Sequence, residues 1–67
     1  MRILLNNREV DFEEEIMSVS EMLDIKKFTF RMRIIKINGI LVPKDAYETT
    51  IIRNGDNVQM LYLMSGG

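Results

Sequence analysis

The chain has 67 residues, a formal net charge of −1 and neither cysteine nor histidine. This length predicts one small domain, and the missing residue types exclude disulfides, cysteine catalysis and the usual zinc ligand sets. The near-neutral charge gives no global field that would favour nucleic acid, and no apolar run approaches the roughly 20 residues of a membrane helix. We therefore expect a cytoplasmic protein with neither a nucleic-acid nor a membrane partner.

The N-terminal residues predict a β-hairpin that starts at residue 2. The run RILLN is short and apolar, and Asn6 and Asn7 after it signal a turn. Val10 and Phe12 then alternate with acidic residues, which is typical of a strand with one buried face.

A helix is predicted over about 18–27. Ser18 precedes Glu21 by three positions, which is the capping-box spacing that begins many helices. Lys26 and Lys27 are expected in the last helical turn, where the helix dipole favours cations.

Extended structure returns after the helix. Asn38-Gly39 is a strong hairpin signal because both residues tolerate a positive φ, and Asn54-Gly55 is a second tight turn. The stretch KDAYETTII reads as a surface connection with one helical turn near 45–48. Three strands are predicted in this half of the chain, at about 28–37, 40–42 and 57–64.

The predicted order is therefore β-β-α-β-β-β. One helix can cover only one face of a sheet, so we expect a two-layer α+β domain with a mixed sheet of four to five strands. The domain should span 1–64, and 65–67 should form a flexible C-terminal tail.

The last predicted strand has two distinct faces because alternate residues point to opposite sides. One set suits the core: Val58, Met60, Tyr62 and Met64. The other set begins polar and ends with Leu61 and Leu63, which should be exposed beside the tail. An exposed apolar patch marks either a partner interface or a region that a loop of the same chain covers.

Gly66 and Gly67 end the chain. One interpretation is a frayed terminus without a role. The other is chemical: a tail without side chains can enter a narrow channel where a Cβ atom would clash. Gly67 would then present its carboxylate for activation, for example as an acyl-adenylate.

Three stretches of the chain resemble the ThiS and MoaD group of sulfur carrier proteins, which share the ubiquitin-like β-grasp fold. These are ING at 37–39, LVPKDAY at 41–47 and NGDNVQMLYLMSGG at 54–67. The short chain and the NGILVP…Y segment look more like ThiS than MoaD. Ser65 departs from the pattern, since many relatives have a third glycine there.

The resemblance implies a carrier that is not itself an enzyme and binds no cofactor or metal. A ThiF- or MoeB-like adenylyltransferase would use Mg-ATP to adenylate Gly67. A cysteine desulfurase or rhodanese-type donor would supply sulfur, and the resulting thiocarboxylate would serve a ThiG-like thiazole synthase in thiamine biosynthesis. Ser65 and Gly66 would thread into the partner, and three apolar residues would contact it: Leu61, Leu63 and Met64.

Three alternatives remain open at this point. The chain could be a MoaD-like carrier for the molybdopterin or tungsten cofactor, a ubiquitin-like modifier joined to lysines through Gly67, or a non-covalent β-grasp interaction module. We interpret the consecutive carboxylates Glu13–Glu15 as an acidic run leading into the helix. A group of cations is interpreted as a solvated or partner-facing surface rather than a nucleic-acid site: Lys26, Lys27, Arg31, Arg33 and Lys36.

Overall fold

A computed structural model of the protein describes residues 1–27 and 33–62. Its elements are, in chain order, β1 (Arg2–Leu5), β2 (Arg8–Asp11), β3 (Ile16–Ser18), α1 (Val19–Ile25), β4 (Arg33–Ile37), β5 (Ile40–Val42), a 3-10 turn (Lys44–Ala46), β6 (Ile51–Arg53) and β7 (Asn57–Tyr62). The predicted extension of β4 over 28–32 and the tail at 65–67 lie outside the described residues. No helix in the described part of the chain is long and apolar enough to cross a membrane.

Five strands form one mixed sheet in the order β2-β1-β7-β4-β5. The central pair β1–β7 is parallel and the other pairs are antiparallel. With α1 packed on one face, this is the predicted α+β arrangement, and the prediction of a mixed sheet of four to five strands is confirmed.

Both predicted hairpin turns form at asparagines with left-handed backbone. Asn6 and Asn7 connect β1 to β2 with φ values of 51° and 67°. Asn38 and Gly39 connect β4 to β5 with φ values of 51° and 81°. A two-residue turn with positive φ at both positions matches the twist of the strands it joins, so the sequence signal leads directly to the hairpin.

The helix starts as predicted and ends sooner. The Glu21 amide donates to Ser18 Oγ at 3.1 Å, and the Ser18 amide donates to Glu21 Oε1 at 3.0 Å, completing the capping box. The prediction that Lys26 and Lys27 lie in the last turn is wrong. α1 ends at Ile25, because Lys27 adopts a left-handed φ of 56° that an α-helix cannot continue.

Two short strands were missed, and they pair with each other. β3 and β6 form a separate antiparallel two-stranded sheet in which Met17 lies opposite Ile52, and both side chains are fully buried. The stretch 44–53 is therefore more than a surface connection, and Tyr47 within it is buried as well. The acidic run Glu13–Glu15 does not lead into the helix, because β3 separates the two.

The core lies between the sheet and the layer that contains α1 and β3. Within residues 1–27 and 33–62 it contains thirteen buried apolar side chains: Ile3, Leu5, Phe12, Met17, Val19, Met22, Leu23, Ile35, Val42, Tyr47, Ile52, Val58 and Met60. Val58 and Met60 belong to this core, so β7 is held firmly along the length that precedes the C-terminal residues.

Candidate functional site

The two faces of β7 follow the predicted alternation through Leu61. Val58 and Met60 are buried against the helix layer, whereas Gln59 is half-buried and Leu61 is 54% exposed. The expected exposure of Leu61 is therefore confirmed. Its predicted partners in the interface, Leu63 and Met64, lie outside the described residues.

Tyr62 corrects the predicted core set. It shares the inward side of β7 with Met60, but 47% of its surface is exposed. The reason lies in the lengths of the neighbouring strands. The β1 strand ends at Leu5, which pairs with Val58, so Tyr62 at the end of β7 has only Arg33 of β4 opposite it among the described strands.

Asparagine side chains from the two hairpin turns anchor β7 at its first residue and at its fourth. Asn6 Oδ1 accepts a hydrogen bond from the buried Met60 amide at 2.8 Å. Asn38 Oδ1 accepts one from the Asn57 amide at 2.9 Å, and Asn38 Nδ2 donates to Asp56 Oδ1 at 3.1 Å. These contacts fix the register of the strand from which the C-terminal residues emerge. The turn signals were visible in the sequence, but their side-chain partners were not.

The outward side of the sheet has apolar residues on β4, which pairs with β7, and on β5 beyond it. Ile34 of β4 lies directly opposite Leu61, and Lys36 lies opposite Gln59 on one side and Leu41 of β5 on the other. Leu41 and Leu61 are exposed, by 59% and 54%, whereas Ile34, Lys36 and Gln59 are half-buried. We call the group the outer patch: Ile34, Lys36, Leu41, Gln59 and Leu61.

Sequence reasoning identified Leu61 and placed Lys36 on a solvated or partner-facing surface, but it missed Ile34, Leu41 and Gln59. A two-residue turn at Asn38-Gly39 sets Ile37 opposite Ile40, and therefore Lys36 opposite Leu41. That pairing could have been read from the sequence. The pairing of Ile34 with Leu61 could not, because it depends on the register of two strands distant in the chain.

Arg33 does not belong to an outward basic stripe. It shares the inward side of β4 with buried Ile35, and its guanidinium lies 5.4 Å from the centre of the buried Tyr47 ring. This distance is typical of a cation–π contact. The predicted grouping of Arg33 with Lys36 on one surface is therefore wrong, since the two side chains point to opposite sides of the sheet.

The described residues also contain an ion pair on β1 and β2. At the opposite edge of the sheet, Arg2 Nε donates to Asp11 Oδ1 at 2.8 Å, and this hydrogen bond lowers the pKa of the Asp11 carboxyl below its ordinary value. No three acidic side chains converge as a possible metal site within residues 1–27 and 33–62.

The predicted reactive residues Ser65, Gly66 and Gly67 also lie outside the described residues. Their reach follows from chain length alone. Gly67 is the fifth residue after Tyr62, and an extended chain of five residues spans at most about 17 Å. Leu61 of the outer patch therefore lies only six positions before Gly67 in the chain.

Comparisons with known proteins agree on one family. The model of the ThiS family matches residues 1–67. A crystal structure of the thiamine biosynthesis protein (ThiS) from Geobacter metallireducens is 28% identical, with a TM-score of 0.89 and full coverage of both chains. A solution structure of a thiamine biosynthesis protein from the same organism is 30% identical, with a TM-score of 0.78, and the match covers all of this chain and 88% of that one. No curated protein matches. The likeness to these structures confirms the predicted ubiquitin-like β-grasp fold.

Proposed function

The chain belongs to the ThiS family, and from this membership we propose that it is a sulfur carrier protein of thiamine biosynthesis. The full-length family match carries the proposal, and the two solved structures described as thiamine biosynthesis proteins support it. In this role the chain is not a catalyst. It is the substrate that an activating enzyme modifies and a biosynthetic enzyme later consumes.

The proposed reaction takes place at the carboxylate of Gly67. A carboxylate is a poor electrophile, so one of its oxygens first attacks the α-phosphorus of Mg-ATP on a ThiF-like adenylyltransferase and pyrophosphate leaves. A persulfide sulfur from a cysteine desulfurase or rhodanese-type donor then attacks the acyl carbon and expels AMP. A second thiol reduces the resulting acyl disulfide and releases the thiocarboxylate. A ThiG-like thiazole synthase takes up this sulfur.

The composition of the tail suits this chemistry. Gly66 and Gly67 have no Cβ atom and Ser65 is small, so the segment can enter a channel too narrow for larger side chains. The carrier needs no nucleophile or general base of its own, because the partners supply the catalytic groups. ATP and Mg²⁺ bind to the adenylyltransferase in this scheme.

The folded domain provides the docking surface that positions the tail on the partner. Leu61 and Ile34 lie side by side at the root of the segment that leads to Gly67, and Leu61 is among the most exposed large apolar residues of the described chain. Such a patch beside a reactive terminus is suited to docking, because burying it brings the tail to a fixed place on the partner. Leu63 and Met64 would extend this contact toward the tail.

The proposal is tested by ATP–pyrophosphate exchange with the adenylyltransferase encoded in the same genome. The full chain should stimulate exchange, and a variant that lacks Gly66 and Gly67 should not. Thermal unfolding of the two should coincide, because the buried core of the described residues lies within 3–60. If the shortened variant stimulated exchange equally well, the terminal glycines would be incidental and the carrier role would be wrong.

A further inference from the structure

One member of the outer patch is charged. Lys36 lies between Leu41 and Gln59 across the neighbouring strands, and Ile34 precedes it by two residues on the same side of β4. Lys36 is half-buried. The ammonium group is therefore attached within a surface that is otherwise apolar or uncharged, next to the position from which the C-terminal residues emerge.

No carboxylate within the described residues forms an ion pair with Lys36. The acidic residues on the outward side of the sheet are Glu9 and Asp11 of β2, three strands away. At about 4.8 Å between neighbouring strands, this separation is about 14 Å. Asp11 is in addition held by Arg2. The positive charge in the outer patch thus has no partner within the sheet.

Docking of a partner changes the hydration of the Lys36 ammonium group. A flat apolar surface that covers Ile34, Leu41 and Leu61 also removes water from the ammonium between them. An ammonium that loses water without gaining a counter-charge opposes binding, whereas one that meets a carboxylate forms a charge-assisted hydrogen bond. A partner can therefore use the apolar part of the outer patch only if it also accommodates the charge.

We propose that Lys36 determines which partner the outer patch accepts. The matching surface is an apolar area of the activating enzyme that carries one carboxylate opposite Lys36. An enzyme with a neutral or basic group at that point is rejected even if its apolar contacts are similar, because specificity arises from the penalty on the wrong pairing. This inference rests on the proposed function, since it concerns the docking of the same adenylyltransferase.

Three substitutions at Lys36 and one matched control test the proposal. Lys36→Met keeps the unbranched stem and removes the charge, Lys36→Arg keeps the charge, and Lys36→Glu reverses it. The control is Lys26→Met. Lys26 is an exposed residue that follows α1, on the other side of the sheet from the outer patch. The measurement is the Kd for the adenylyltransferase without ATP, so that binding is separated from adenylation.

We expect Lys36→Met to weaken binding about tenfold or more and Lys36→Glu to weaken it by about 100-fold or more, as for close charge pairs at interfaces. Lys36→Arg should stay within about threefold of the wild type, and so should Lys26→Met. Added salt should weaken the wild type more than Lys36→Met, because the variant lacks the screened interaction. Thermal unfolding should be nearly the same for all variants.

Affinity of Lys36→Met equal to or tighter than that of the wild type would overturn the inference, since the ammonium would then reach water at the rim of the interface. That outcome leaves the carrier role intact if the wild type still stimulates pyrophosphate exchange. If the wild type neither binds nor stimulates exchange, the proposed function fails and the inference fails with it.

Discussion

Single asparagines hold the strand from which the C-terminal segment emerges. Asn6 lies in a two-residue turn, where its positive φ is tolerated at low cost, and its side chain reaches the amide of Met60, 54 positions later in the chain. The Asn6 amide also donates to the Val58 carbonyl at 2.9 Å. Because Met60 is buried, its amide has no access to water if this contact is lost. The stability of β7 thus depends on a residue that is itself exposed.

Replacing Asn6 with glycine isolates this hydrogen bond. Glycine accepts the same positive φ, so the turn persists while the Met60 amide loses its acceptor. We expect Asn6→Gly to lower the free energy of unfolding by about 1–3 kcal/mol. Urea denaturation followed by circular dichroism measures this difference.

Asn7 provides the matched control for this experiment. It has the same backbone region, with φ of 67°, but its side chain anchors no other strand in the described structure. Asn7→Gly should change the free energy of unfolding by no more than about 0.5 kcal/mol. Equal losses for the two variants would show that the turn conformation, rather than the bond to Met60, determines the stability.

The β4, β5 and β7 strands together create the outer patch, and none of them does so alone. Leu61 of β7 is 20 or more positions away from Ile34 of β4 and Leu41 of β5 in the chain, and it meets their hairpin only because the register of the sheet aligns them. Their inward neighbours Ile35 and Met60 are buried. Because a shift of one residue would exchange the two faces, the buried core also determines what the protein shows to a partner.

Leu61→Asn should therefore affect binding and leave the fold intact. The side chain is more than half exposed, so its replacement should change the free energy of unfolding by less than about 1 kcal/mol. Loss of its apolar contact should weaken binding to the adenylyltransferase by tenfold or more, about 1.4 kcal/mol. Calorimetric titration measures the affinity.

Leu4→Asn is the matched control for Leu61→Asn. Leu4 is also exposed on the outward side of the sheet, but on β1, where it pairs with Glu9 and Asn57 and not with the outer patch. Its substitution should leave the affinity nearly unchanged. If both variants weakened binding equally, the docking surface would extend over the whole face and the outer patch would have no special role.

Local signals in the sequence predicted the elements whose causes are local. The capping box at Ser18 and the turns at Asn6-Asn7 and Asn38-Gly39 depend on residues within a few positions of each other, and all three were predicted. β3 and β6 are three residues each, and their pairing joins positions 33 to 37 apart. No alternation is visible over three residues, so they were missed. The exposure of Tyr62 was also missed, because it depends on where β1 ends.

In the candidate site too, the residue with a local signal was predicted, and most residues that depend on cross-strand pairing were not. Leu61 was identified because the alternation along β7 is a property of one segment. Lys36, Leu41 and Ile34 became part of the site only through cross-strand pairing, and Arg33 turned inward toward Tyr47. A charge pattern alone does not say on which side of a sheet each cation lies.

The whole molecule is a small core followed by the C-terminal residues at which we propose the chemistry. Among the described residues, thirteen buried apolar side chains form the core, and all of them lie between Ile3 and Met60. The proposed chemistry at Gly67 therefore uses no residue of this described core. The family match spans this tail as well as the domain, which supports a carrier whose folded part and reactive part are separate.

Intact-protein mass spectrometry tests this account most directly. The chain is incubated with the adenylyltransferase from the same genome, Mg-ATP and a persulfide donor with excess thiol, and pyrophosphate release in the same mixture shows that activation has occurred. We predict a mass increase equal to the replacement of one oxygen by sulfur, which fragmentation locates at Gly67. An unchanged mass despite pyrophosphate release, or an adduct that joins Gly67 to a lysine of another protein, would contradict the carrier role.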